Sequence, residues 1–151
     1  MGKLLDISRK SSLMRMEIKY DKKLYKFNLY EELRIDEDVI NQDMQEHPRI
    51  YGFLSMIHNI YIKLAKEAKL NADKKEAQLF KMYKSKTGDN GRPLANELAK
   101  ANTESNPSYT KMRKNQYKIE HDRDNLAACV RMFEERKALI QTISANRRRE
   151  I

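Results

Sequence analysis

Catalysis needs nucleophiles, acids, bases or metal ligands at workable spacing, and this chain offers none with any specificity. Its three histidines, His47, His58 and His121, are far apart and fall in no HExxH or Cys/His pattern. No paired carboxylates, Ser/His/Asp set or Cys/His set can be drawn. Glu120-His121-Asp122 and Asp122-Arg123-Asp124 read as a solvated helix face. Gly88 and Gly91 mark a turn and not a phosphate loop, since no Gly-Lys-Ser/Thr follows and no strand precedes. His58 lies beside an apolar face and reads as structural, and Cys129 reads as core. The expectation is no catalytic residue, no metal and no cofactor, hence no enzyme.

The cations are organised differently. Lys66, Lys69, Lys74, Lys75, Lys81, Lys84 and Lys86 follow one another through mid-chain, and Lys111, Arg113, Lys114 and Lys118 form a second group. Tyr83, Tyr109 and Tyr117 are interleaved with them. Lysines neutralise phosphates and aromatic faces stack on unpaired bases, so the combination suits single-stranded nucleic acid. A coiled coil with a solvated basic face has the same composition and stands as the alternative. Arg147-Arg148-Arg149 is a further basic patch, able to bind phosphate or to end a helix favourably.

Positioning these groups falls to two long helices. One runs from Pro48 to about residue 87, where Thr87-Gly88-Asp89-Asn90-Gly91 makes a turn. Its apolar stripe is Ile50, Leu54, Ile57, Tyr61, Leu64 and Ala68, stepping 4, 3, 4, 3, 4, the spacing of a heptad seam. The seam thins through 69–78. The other helix spans 107–149, opened by Asn106-Pro107. Its seam is Leu126, Val130, Phe133 and Ile140, with Leu139 and Ile143 beside it. Setting Tyr83 opposite Tyr109 places Leu54 near Leu139 and Leu64 near Cys129, and brings apolar halves and polar halves together. The expected fold is therefore all-α: a long antiparallel, coiled-coil-like helical hairpin over 48–151 with a connector at 88–106. Both basic groups then converge on the hairpin tip.

The remaining segments extend this plan. Residues 28–47 carry a net charge of −6 in a chain of +9 overall, and read as one or two short helices, with Asp36-Glu37-Asp38 suited to a helix N-terminus. Residues 1–27 carry +5 and read as a mobile or partly ordered basic arm, or an ordinary solvated tail, with strand-like alternation at Arg15 to Tyr20.

In composition, 35% of residues are charged, with four Gly, three Pro and no Trp. That is the profile of long helices burying one stripe each, which calls for a partner chain and predicts a homo-oligomer. The positive balance favours a polyanion. No apolar run is long enough to span a bilayer, and no membrane is expected among the partners. Met1-Gly2-Lys3-Leu4-Leu5-Asp6 lacks the apolar core of a secretory signal. A single cysteine cannot form an internal disulfide, which suits a reducing cytoplasm.

A family resemblance rests on several of these residues. Glu31-Glu32-Leu33, the Ile35-Asp36 acidic stretch, a basic helix with Lys74-Lys75, and the run Lys81-Met82-Tyr83-Lys84-Ser85-Lys86-Thr87-Gly88-Asp89 occur in this order. The order and spacing resemble the UvsY recombination mediators of tailed phages over most of residues 28–151. Lys84 stands where that family has a second tyrosine. The resemblance implies a small, oligomeric, all-helical protein without catalytic activity, acting in a bacterial host cytoplasm. It would bind single-stranded DNA and help load a recombinase in exchange for a single-strand-binding protein, with Lys74, Lys75, Lys81 and Lys84 as the foremost contacts. A helical protein-interaction or structural coiled-coil oligomer without a nucleic-acid role is the competing expectation.

Overall fold

The computed structural model describes residues 15–149. The basic arm before Arg15 therefore lies outside the described residues. The fold is mostly helical, in line with the expected class, and it adds one two-stranded antiparallel sheet, which corrects "all-α". In chain order the elements are β1 (Arg15–Tyr20), β2 (Lys23–Asn28), α1 (Leu29–Glu32), a 3-10 turn (Glu37–Val39), α2 (Ile40–Lys84), α3 (Asn96–Glu104) and α4 (Pro107–Arg149). They fall in two compact units, one of residues 15–57 with 126–149 and one of His58–Asn125.

In the first unit, β1 and β2 pair in the register Ile18↔Tyr25 and Met16↔Phe27. Asp21 and Lys22 link them, both with positive φ (46° and 61°), as a two-residue hairpin turn of this twist requires. Aspartate tolerates that conformation, whereas lysine adopts it against its preference. An isolated hairpin is marginal in water. Here it is held by burial of Ile18, 2% exposed, and by Tyr25 and Phe27, whose rings lie 5.3 and 5.9 Å from Phe53 of α2.

Helix α2 starts at Ile40, upstream of the expected start at Pro48, and Pro48 lies inside it. An interior proline removes one backbone hydrogen bond and costs roughly 3 kcal/mol. Tertiary packing offsets this in the turns before it. Ile40 is 4% exposed, and Asp43 and His47 are both bonded to Arg136 of α4. The turn leading in is capped by Asp36, whose carboxylate accepts from Asp38 N–H at 3.0 Å. Asp36 N–H in turn donates to Asp43 Oδ2 at 3.0 Å. The Asp36–Asp38 acidic run thus caps the 3-10 turn that enters α2.

The first unit's core contains Leu54 and Ile57 of α2 and Leu126, Cys129, Phe133 and Ile140 of α4, all at most 3% exposed. Ile50 and Val130 are half-buried. Cys129, not Val130, takes the seam position, and Leu139, expected near Leu54, is 57% exposed.

In the second unit the buried positions of α2 are Tyr61, Ala65, Ala72 and Leu79. Leu64, expected in the seam, is 40% exposed, and Ala65 replaces it. The spacing thus takes a step of four where the heptad needs three. An α-helix of 3.6 residues per turn drifts about 20° per heptad against a strict seven-residue repeat, and an extra step of this kind resets the phase.

The tip of this unit is a hydrogen-bonded turn. Gly88 N–H donates to the Arg92 carbonyl at 2.7 Å, and Gly91 takes φ +70°, a glycine conformation. Asn106 caps α4 through Oδ1, which accepts from Ser108 and Tyr109 N–H at 3.1 and 3.3 Å.

Candidate nucleic-acid interface

All twelve residues expected to contact nucleic acid lie in the second unit. Helical geometry separates them by role. On α2, the buried line Ala65, Ala72, Leu79 fixes the inward direction. At 100° per residue, Lys74 and Lys81 lie opposite that line, two turns apart, and both are exposed. Lys63 falls on the same outer line and pairs loosely with Glu67 at 3.9 Å; the sequence reading missed it. Lys66 and Lys69 are exposed on one flank, and Lys75 is half-buried on the other. On α4 the inward direction is set by Tyr109 and Gln116. Lys111, Lys114 and Lys118 lie opposite it, one turn apart, all exposed. None of Lys66, Lys69, Lys74, Lys75, Lys81, Lys111, Lys114 or Lys118 has an ion-pair partner among the described residues.

Four of the expected contacts are committed to internal structure. Lys84 Nζ donates to the Leu94 carbonyl at 2.7 Å and pins the chain beyond the turn to α2. The Tyr83 hydroxyl accepts from Asn106 Nδ2 at 3.1 Å, and Lys86 sits over the Tyr83 ring, 5.0 Å from its centre. Arg113 is the most heavily engaged. It bridges to Glu76 at 2.6 Å and Asp73 at 2.8 Å, and its remaining nitrogens donate to the Tyr109 hydroxyl at 2.8 Å and Gln116 Oε1 at 2.7 Å. Its pKa is raised, chiefly by the Tyr109 hydrogen bond and further by Glu76 and Asp73, against an opposing burial effect. Burial raises the Tyr109 pKa as well. Tyr83 and Tyr109 are therefore structural, and of the three tyrosines Tyr117, 62% exposed, remains available.

The contacts across this unit also correct the expected convergence. Arg113 of α4 meets Asp73 and Glu76 of α2, so the inward faces of the two helices look at each other. Their outer lysine lines must then point away from each other. Lys74 and Lys81 occupy one surface of the unit and Lys111, Lys114 and Lys118 the opposite one.

The first unit carries a polar cluster that sequence reasoning did not find. Arg136 occupies a seam position between Phe133 and Ile140, 6% exposed. Its Nη2 donates to Asp43 Oδ1 and to the Arg34 carbonyl, both at 3.0 Å. Its Nη1 lies 3.2 Å from His47 Nδ1. A guanidinium only donates, so the imidazole accepts at Nδ1 and is neutral with its proton on Nε2. The His47 pKa is lowered, first by burial and then by the charges of Arg136 and Lys137.

A lowered histidine pKa means the unfolded chain binds the proton more readily. Stability is then unaffected above about pH 6.5, the ordinary histidine value, and falls as pH drops below it toward the folded value. Urea midpoints should decrease between neutral pH and pH 5 in wild type, and decrease less in His47→Gln. Equal losses in the two proteins would contradict the assignment.

Cys129 is buried, and burial pushes its thiol up to about 11, which keeps it protonated and unreactive. Among the described residues, no group of three or more His, Cys, Asp or Glu could hold a metal ion, and no helix is long and apolar enough to cross a membrane. Comparison with protein families, curated proteins and solved structures finds no match for the chain.

Proposed function

We propose that this protein is a non-catalytic single-stranded DNA-binding accessory of recombination that helps load a recombinase, as the resemblance to UvsY mediators implies. The observation that carries it is the outer face of α4. Lys111, Lys114 and Lys118 are exposed and unpaired, and Tyr117 stands beside them with its ring in solvent. Lysines one turn apart are about 5–6 Å apart along the axis. That is close enough to meet the phosphates of every one or two nucleotides, which sit about 3.4 Å apart along each strand of a duplex. An exposed ring among them offers a stacking platform that any unpaired base can use and that a closed duplex does not reach.

On this account the protein is an oligomer of long antiparallel helical hairpins in a bacterial host cytoplasm. Its DNA contacts are Lys66, Lys69, Lys74, Lys75, Lys81, Lys111, Lys114, Lys118 and Tyr117. Tyr83, Lys84, Lys86 and Arg113 build the surface that presents them.

Fluorescence anisotropy with single-stranded and duplex DNA of equal length tests this reading. Single strands should bind more tightly. Tyr117→Ala should weaken single-strand binding by about 1–3 kcal/mol and leave duplex binding nearly unchanged. A preference for duplex, or equal losses on both, would count against the proposal.

A second reading has its own observation. Met132 and Leu139 of α4 are 38% and 57% exposed in the first unit, and apolar residues so placed suit a protein partner or a second copy of the chain. A structural coiled-coil oligomer would use this surface and leave DNA binding absent.

A further inference from the structure

We infer that the second unit binds two single strands at once, one on each of two opposed lysine faces; this rests on the single-strand reading above. The first face is the outer line of α2, Lys74 and Lys81, with Lys66 beside it. The second is the outer line of α4, Lys111, Lys114 and Lys118, with Tyr117 beside it. The faces are back to back at the same level of the unit, because Arg113, one residue before Lys114, is bonded to Asp73 and Glu76, which flank Lys74 and Lys75.

Two magnitudes make the faces independent. Each helix with its side chains is about 10–12 Å across, so the outer lines of a packed pair are roughly 20 Å apart. The screening length at physiological ionic strength is about 8 Å. A strand held on one face is therefore more than two screening lengths from a strand held on the other, and repulsion between them is largely lost. A strand trying to serve both faces would have to turn round the edge of the helix pair. On the edge where Arg113 lies, it would pass Asp73 and Glu76, two carboxylates to one guanidinium, and side chains already bonded to each other. Those three side chains carry one net negative charge, and the guanidinium is already bonded through all three of its nitrogens.

The consequence is a device for holding two strands in proximity, with each chain of any assembly contributing two places. Stoichiometry tests this independently of oligomeric state. The full-length protein is saturated with a short oligothymidylate at low salt, and strands bound per chain are counted by analytical ultracentrifugation with a labelled strand. Two variants remove one face each: Lys74→Gln with Lys81→Gln, and Lys111→Gln with Lys114→Gln and Lys118→Gln. Circular dichroism melts confirm that both remain folded, as expected for exposed positions. Wild type should bind two strands per chain and each variant one, a twofold loss in either case. One strand per chain in wild type would overturn the inference, whether either variant reduces it or only one does. Absence of any binding by wild type would instead overturn the single-strand reading beneath it.

Discussion

Replacing Arg136 with alanine should destabilise the protein by about 3–5 kcal/mol, the usual cost of removing one partner from a buried ion pair. The reason is what remains. Asp43, whose side chain is 19% exposed, would keep its charge without the guanidinium, and the Arg34 carbonyl would lose its donor. His47 Nδ1 would be left facing the space of the missing side chain. Those three groups hold the chain just before α2, the start of α2 and α4 to one another.

Removing the opposite charge as well should recover part of the loss. In a cycle of Arg136→Ala, Asp43→Ala and the double variant, the double should be less destabilised than the sum by about 0.5–3 kcal/mol. Urea denaturation of the four proteins measures this. An Arg136→Ala effect below about 1 kcal/mol, or strict additivity, would show that the cluster is not a buried pair in solution.

The second large effect is expected at Phe133, fully buried in the first unit with its ring 5.9 Å from that of His47. Phe133→Ala should cost about 3–5 kcal/mol, the transfer loss of the ring plus the cavity it leaves. The informative control is Leu139, which the heptad reading placed in the interface and the structure leaves 57% exposed. Leu139→Ala should fall within about 0.5 kcal/mol of wild type. If Leu139→Ala were as damaging as Phe133→Ala, the assigned inward face of α4 would be wrong by about a third of a turn.

Where the sequence was legible, the signals were periodic or local. Leu54, Ile57, Leu126, Phe133 and Ile140 stand at heptad spacing and are buried, and Asn106 before Pro107 caps α4. Three of the four failures share a cause, a contact distant in sequence that overrode a local preference, and the fourth, Leu64, follows from helix geometry. Asp21-Lys22 carries no glycine, so the turn of the β-hairpin has no strong sequence mark, and the hairpin depends on Phe53 for support. Pro48 reads as a helix start, yet Arg136 holds the two turns before it in place. Leu64 fits the heptad better than Ala65 by residue type, but the drift of a long helix turns it outward. Arginine at a seam position looks like a surface residue until Asp43 and His47 are placed beside it.

The candidate site was legible as composition and not as geometry. Counting lysines gave the right region, but a count cannot tell Lys74, which points to solvent, from Lys84, whose ammonium is bonded to the Leu94 carbonyl. Nor can it tell that two groups close in space face opposite ways. That distinction came from the buried lines of α2 and α4 and the Arg113 contacts joining them.

The central claim is that exposed lysines of the second unit neutralise the phosphates of a single strand. The most direct measurement is the affinity of the full-length protein for an oligothymidylate across a salt series, for wild type and for Lys74→Ala, Lys81→Ala, Lys114→Ala and Lys118→Ala combined. Each phosphate contact on a single strand contributes about 0.7 to the negative slope of log affinity against log salt, and a strand on either face loses two such contacts, so the variant should be shallower by about 1.4. Lys84→Ala should leave the slope unchanged. Failure of wild type to bind at low salt, or identical slopes for wild type and the fourfold variant, would contradict the account.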